Sequence, residues 1–202
     1  MDCKNSTIHS EREKMTSSEL YNSQAEELIE DRLRAKELLR GFNEAGVREI
    51  ELRRGILKEL LGSTEEGFFI EQPFHCSYGY NIHWGINSYA NYNLTVLDNG
   101  KVTVGNNVML GPNVQLLTAC HPLHWQERNS LIEYTKSIII GDNVWIGGGV
   151  IVLPGVSIGK NSVIGAGSVV TKNIPDNVVA AGNPCKIIRA ITEDDKILKE
   201  SL

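Results

Sequence analysis

Residues 140–173 read IGDNVW IGGGVI VLPGVS IGKNSV IGAGSV VTKN when written in sixes. Each block opens on an aliphatic residue: Ile140, Ile146, Val152, Ile158, Ile164 and Val170. Gly takes second place at Gly141, Gly147, Gly159 and Gly165, and the fifth place is small or β-branched throughout (Val144, Val150, Val156, Ser162, Ser168, Ile174). An amphipathic helix places apolar residues three and four apart, and a half-buried strand alternates by two. A period of six fits neither. It fits a short strand followed by a corner, repeated, with β-branched side chains turned into a shared interior and Gly, Asn and Asp accepting positive φ at the corners. Each coil is then held by stacking on its neighbours.

Working outward, the same phase opens VGNNVM, LGPNVQ and LLTACH at Val104, Leu110 and Leu116. Val104 and Ile140 stand 36 residues apart, six whole blocks, so 122–139 spans three block lengths without obeying the pattern. It reads as a loop excursion from a coil that resumes in phase. A weaker coil runs upstream through Trp84, Ala90 and Val96, with two extra residues before Val104. The repeat therefore predicts a parallel β-helical prism over 68–192, closed by a short polar tail at 193–202.

The N-terminal third has a different rhythm. Residues 1–15 carry no pattern and are expected to be disordered, and 16–67 reads as a helical segment. SQAE at 23–26 fits a helix-opening capping box of Ser23 and Glu26. Leu28, Ile29, Leu33, Leu38, Leu39 and Phe42 then fall on one broad face, and the charges of 26–37 form the solvated one. A second helix is expected from Arg48 to Leu61, stopping at Gly62. Two such helices cannot bury their apolar faces alone and should pack on the prism or close over a site.

Composition narrows the function. A net charge of −5 and a pI near 5.6 argue against nucleic-acid binding, which favours a basic face. No apolar run reaches bilayer length, and the polar 1–15 stretch lacks the apolar core of a secretory leader. The four cysteines (Cys3, Cys76, Cys120, Cys185) lack metal-site spacing and read as reduced thiols of a cytoplasmic protein. Cys120, at a fifth block position, is expected to face the core.

Residues 74–99, FHCSYGYNIHWGINSYANYNLTVLDN, crowd tyrosines, a tryptophan and asparagines together, a mixture suited to a hydroxyl-rich ligand. With LYNSQAEELIEDRLRAKELLRGFN at 20–43, TACHPLH at 118–124, VWIGGGVIVLPGVSIG at 144–159 and VIGAGSVVTKNIPDNVVAAGNPCKIIR at 163–189, they resemble the maltose/galactoside O-acetyltransferases, a branch of the hexapeptide-repeat acyltransferases. The resemblance covers 17–192. It implies a left-handed parallel β-helix, a homotrimer with active sites between subunits, acetyl-CoA as cosubstrate without a metal, and a sugar or similar alcohol as acceptor.

Acetyl transfer from a thioester to an alcohol needs a base for the hydroxyl proton and a stabiliser for the tetrahedral oxyanion. His121 suits the role of base. It stands where the regular blocks give way to the excursion, so its imidazole can project outward, and the resemblance makes it the catalytic base. Asn91 matches the residue that orients the reactants or stabilises the oxyanion. The acceptor site carried over is Ser77, Tyr89, Asn93, Asp98 and Asn99; His124 supports substrate or loop without a proton-transfer role. The coenzyme groove carried over is Trp145, Gly148, Ala166, Thr171, Lys172, Lys186 and Arg189, small residues leaving room for the pantetheine arm and cations meeting phosphates. Two departures stand out: Ser23 and Asn99 occupy positions where the galactoside-acetylating branch has acids, and Asp98 is the expected compensation. Two other readings compete, a catalytically silent trimeric binding protein and a metal-dependent carbonic anhydrase of the same repeat class. His75, His83, His121 and His124 lack the ligand pattern of the latter.

Overall fold

The computed structural model describes residues 9–198. From Ser63 onward the chain cycles through three parallel sheets. The first face stacks Ser63–Thr64, Ile82–Trp84, Val102–Val104, Ile138–Ile140 and Ser157–Ile158. The second stacks Phe69–Ile70, Tyr89–Ala90, Met109–Leu110, Trp145–Ile146, Val163–Ile164 and Val178–Ala181. The third stacks Phe74–Cys76, Leu94–Leu97, Gln115–Leu117, Ile151–Val152 and Val169–Val170. The result is a parallel β-helix of hexapeptide repeats, in which the period of six is one side of the prism.

The block openings lie inside. Ile140, Ile146, Val152, Ile158, Ile164 and Val170 are at most 1% exposed, and the fifth-place residues 144–174 are at most 6% exposed. In-phase resumption is literal: Ile140 pairs with Val104, Ile146 with Leu110 and Val152 with Leu116. Asn143, Asn161 and Asn177, with φ of 59°, 60° and 56°, turn the corner between the first and second faces. The solenoid begins five residues before the expected 68, because Ser63–Thr64 already pairs with His83–Trp84.

The extra residues accumulate at one edge. From Thr64 to Trp84 and from Trp84 to Val104 a coil takes 20 residues, against 18 from Ile140 to Ile158, and the surplus lies between the third and first faces, at 77–81 and 98–101. The excursion leaves at the same edge. It runs from Ala119, three residues earlier than the expected 122, and returns at Ile138, which is buried and paired with Val102. Thr118 explains the early exit: its buried hydroxyl donates to Leu97 O (2.6 Å) and accepts from Gly100 N (2.7 Å), closing the coil there. Cys120 consequently does not face the core; it is half-buried in the excursion's own sheet.

The N-terminal segment is more ordered than expected. Helix α1 (Glu11–Thr16) opens on Ser10 in a capping box with Glu13 and buries Met15 completely, which corrects the expectation of disorder for 9–15; residues 1–8 lie outside the described residues. Helix α2 (Glu26–Glu44) starts without a side-chain cap, its N-cap being Ala25. Ser23 is instead 6% exposed and donates to Leu131 O at 3.4 Å, so the expected box at 23–26 does not form. Phe42, with Leu57, Leu60 and Leu61 from helix α3 (Ile50–Leu60) and its C-cap, joins the prism core and seals its upper end. Asn43 fixes the seal by exchanging two 2.9 Å hydrogen bonds with the Phe74 backbone. At the lower end Lys186–Ala190 returns antiparallel along Val178–Ala181, and the expected tail begins with one 3-10 turn at Glu193–Asp195.

Candidate active site

The excursion builds a small antiparallel sheet outside the prism. Ala119–Cys120 pairs with Ile132–Thr135, which pairs on its other side with Tyr21–Asn22, and helix α4 (Trp125–Arg128) turns the tip. Cys120 faces Tyr134 and Tyr21 faces Glu133. Paired residues of an antiparallel ladder point to the same side and successive ones alternate. The ladder ends at Cys120; carried one step beyond it, the same register brings His121 level with Glu133, whose partner on the other side is Tyr21. His121 is exposed, and among the described residues its ring has no hydrogen-bond partner.

Asn99 joins Glu133 and Tyr21 from the 98–101 corner. Its amide donates to the Tyr21 hydroxyl at 2.9 Å and reaches Glu133 Oε2 at 3.4 Å, while Tyr21 donates to the same Oε2 at 2.6 Å. Burial raises the Tyr21 phenol above its ordinary value, and the bond to Glu133 raises it further, so the hydroxyl stays protonated and the hydrogen bond keeps its direction. Behind it Arg32 donates to the Tyr78 hydroxyl at 2.8 Å and sits over its ring.

Asp98 does not take the role expected of it. Its side chain is fully buried and accepts the backbone amides of Ser77 (2.9 Å), Tyr78 (2.8 Å) and Asn81 (3.4 Å). Burial lifts its carboxyl to about 6 against the pull of those amides. Asp98 thus shapes the 77–81 turn from within and offers no oxygen to a substrate. Ser77 is half-buried on that turn, on the same edge as Asn99 and His121.

The remaining expected residues divide between two edges. Tyr89, stacked on Phe69 with ring centroids 6.3 Å apart, and Trp145, 51% exposed, lie on the outer side of the second face. Asn91, Asn93, Gly148 and Ala166 follow at the corner between the second and third faces. There the Asn91 side-chain oxygen accepts Tyr92 N at 2.7 Å, leaving its NH₂ without a partner among the described residues. Lys186 and Arg189 belong to the strand added to the second sheet; Arg189 is held by two bonds of 2.8 and 2.6 Å to Asp195. Thr171 and Lys172 lie instead on the edge of His121, between the third and first faces. One chain therefore does not bring His121 to Asn91, nor Lys172 to Lys186. Lys172 and Lys186 are exposed and make no ion pair among the described residues. The chemistry of these exposed cations, with the flat indole of Trp145 and the small Gly148 and Ala166, fits an extended, phosphate-bearing arm.

Two residues escaped sequence reading: Tyr21 and Glu133. Each stands in a short strand with no periodic signal, and they meet across 112 residues. The nearest sequence cue was the loss of acids at Ser23 and Asn99, which asks where a carboxylate would come from. Among the described residues no cluster of His, Cys, Asp or Glu is arranged to hold a metal ion, and no helix is long and apolar enough to cross a membrane.

Comparison with known proteins agrees with this architecture. Residues 137–172 match the bacterial transferase hexapeptide model of six repeats, and 14–65 match the maltose acetyltransferase hexapeptide capping motif. Fold and repeats define the class, a hexapeptide-repeat transferase. The galactoside O-acetyltransferase of Escherichia coli K12 is 48% identical over 184 residues, 91% of each chain. A crystal structure of a maltose O-acetyltransferase from Clostridium difficile 630 superposes with a TM-score of 0.89 at 53% identity, covering 92% of this chain and 99% of that one. A galactoside acetyltransferase in complex with coenzyme A gives 0.90 at 46% identity, over 96% and 98%. The chain belongs to the maltose/galactoside O-acetyltransferase family.

Proposed function

We propose that the protein transfers the acetyl group of acetyl-CoA to a hydroxyl of a maltose-, glucose- or galactoside-like sugar, with His121 as the general base. What supports the reading is the excursion sheet, where exposed His121 directly follows Cys120, paired with Tyr134, and the next residue of that partner strand, Glu133, carries the Tyr21 phenol and the Asn99 amide. In the proposed step the acceptor hydroxyl attacks the thioester carbon as His121 takes its proton. The tetrahedral oxyanion then collapses, the carbon–sulfur bond breaks, and the imidazolium returns the proton to the departing thiolate. The free NH₂ of Asn91 supplies an oxyanion donor. Because Asn91 and His121 occupy different edges of one prism, the reading requires a homotrimer in which neighbouring copies complete each site. Trp145, Gly148 and Ala166 of one flank and Thr171 and Lys172 of the other then border the coenzyme, with Lys186 and Arg189 toward its phosphates. Ser77, Asn99 and Glu133 receive the acceptor from the His121 edge, Tyr89 and Asn93 from the opposing flank. Cys76, Cys120 and Cys185 are free thiols, which supports a cytoplasmic setting.

The test is release of coenzyme A thiol from acetyl-CoA over a panel of mono- and disaccharides. Turnover with at least one sugar, abolished in His121→Ala while the protein stays folded and binds coenzyme A, is the expected result. A protein inert toward every acceptor is a binding protein, and the reading fails.

A further inference from the structure

The carboxylate of Glu133 is held at one oxygen only. Oε2 receives the Tyr21 hydroxyl at 2.6 Å and the Asn99 amide at 3.4 Å, whereas Oε1 has no hydrogen-bond partner among the described residues. Tyr21 is 1% exposed, its ring packed with Met15, Leu28 and Tyr78. Its hydroxyl therefore comes from a rigid, buried base, and Asn99 donates to that hydroxyl, which fixes the direction in which it donates onward. Glu133, by contrast, is half-exposed on a strand outside the prism, where an unrestrained side chain would sample several rotamers. Resting on the acetyl-transfer reading above, we propose that Tyr21 is a positioning residue: it locks Glu133 so that Oε1 faces the space beside His121 and accepts a hydrogen bond from a second hydroxyl of the acceptor, adjacent to the one that attacks.

The chemistry follows from the donor count. An ionised carboxylate is acceptor-only, so Oε1 in that place selects a ligand carrying a further O–H. A polyol with neighbouring hydroxyls satisfies it, one group at Oε1 and the next at His121. A monohydroxy alcohol leaves the carboxylate oxygen desolvated and unpaired, a penalty that discriminates strongly against the ligand lacking the group. Tyr21 touches neither substrate nor coenzyme in this arrangement. It acts through Glu133, and removing its hydroxyl matters only while the carboxylate is there to be aimed.

The experiment is a double-mutant cycle on steady-state transfer, using Tyr21→Phe, Glu133→Ala and the double variant, with an accepted sugar and a simple monohydroxy alcohol as probes. Tyr21→Phe keeps the buried ring and is expected to raise the KM for the sugar about tenfold, the size of one charged hydrogen bond, with the KM for acetyl-CoA unchanged. The preference for sugar over monohydroxy alcohol should fall by the same factor. The double variant should match Glu133→Ala alone. Glu133→Gln, which keeps side-chain volume, gives a second reading of the same subsite and should also raise the sugar KM if Tyr21→Phe proves poorly folded. An unchanged sugar KM in Tyr21→Phe, or an equal effect of that change with and without Glu133, overturns the proposal while leaving His121-dependent transfer standing. A wild-type protein inert with all acceptors removes the transfer reading first, and this inference with it.

Discussion

The edge between the first and second faces and the edge between the third and first are turned by the same solenoid, and they are built on opposite terms. At the first, every coil uses the same few residues, and Asn107, Asn143, Asn161 and Asn177 stack with side-chain bonds of 3.2, 2.9 and 2.9 Å from one coil to the next. Each of these residues has a φ between 54° and 60°, and the short polar side chain makes that conformation tolerable. Nothing protrudes. At the second edge the coils disagree in length, and the surplus becomes the 77–81 turn, the 98–101 corner and the whole excursion with His121. Uniform corners give a rod its stability by repetition. Irregular corners give up that regularity for side chains aimed outward, and they need support from elsewhere: buried Asp98 for the first turn, Thr118 for the exit, Tyr21 for Glu133.

Four substitutions sharpen this contrast. The largest effect belongs to the irregular edge: His121→Ala should lower kcat/KM for acetyl transfer by about 10²–10⁴-fold with little change in melting temperature or coenzyme affinity, measured by thiol release and calorimetry. Next, Gly141→Val on the regular edge should destabilise the fold by about 2–4 kcal/mol, because a Cβ there would lie 2.8 Å from the Lys160 backbone nitrogen of the next coil. Denaturant unfolding reads it; an unaltered midpoint would mean the coils are not pressed together as described. Third, Asn161→Ala removes both of its ladder bonds and the short polar side chain that makes φ 60° tolerable, so about 1–2 kcal/mol of stability should be lost while the acceptor KM stays put.

The remaining effect is a pH dependence. Burial raises Asp98 from 3.8 to about 6. A carboxyl that binds its proton more tightly when folded contributes stability below its unfolded pKa and loses it as pH rises through the folded one. Stability should therefore decline between about pH 4 and 6 from this group, and Asp98→Asn should flatten that segment in a series of melting curves. An identical slope in the variant would place the titration elsewhere.

The same contrast explains what the sequence revealed. A residue whose environment repeats every coil is legible from spacing, so Ile140 to Val170, the fifth places and the phase match of Val104 to Ile140 all appeared where expected. The outward placement of His121 was legible because it stands at the end of the last regular block, and the residue is exposed. The excursion's own order was not. Tyr21 and Glu133 meet across 112 residues through a two-residue strand, too short for any period, and Ser10 rather than Ser23 forms the N-terminal capping box although both sit three residues before a glutamate. Local spacing cannot choose between two such serines; burial of Ser23 against Leu131 does. Asp98 misled for a related reason, since an acid beside Asn99 reads as a ligand unless one knows that the turn at 77–81 folds over it.

If the irregular edge of one copy works with the Asn91 flank of the next, two defective chains should repair each other. Co-expressed His121→Ala and Asn91→Ala chains, assembling at random, place an intact His121 beside an intact Asn91 at about a quarter of the interfaces. Acetyl transfer by the mixed protein should therefore return to about a quarter of the wild-type rate, far above either variant alone. Activity no greater than the sum of the two separately purified variants would contradict a site shared between copies.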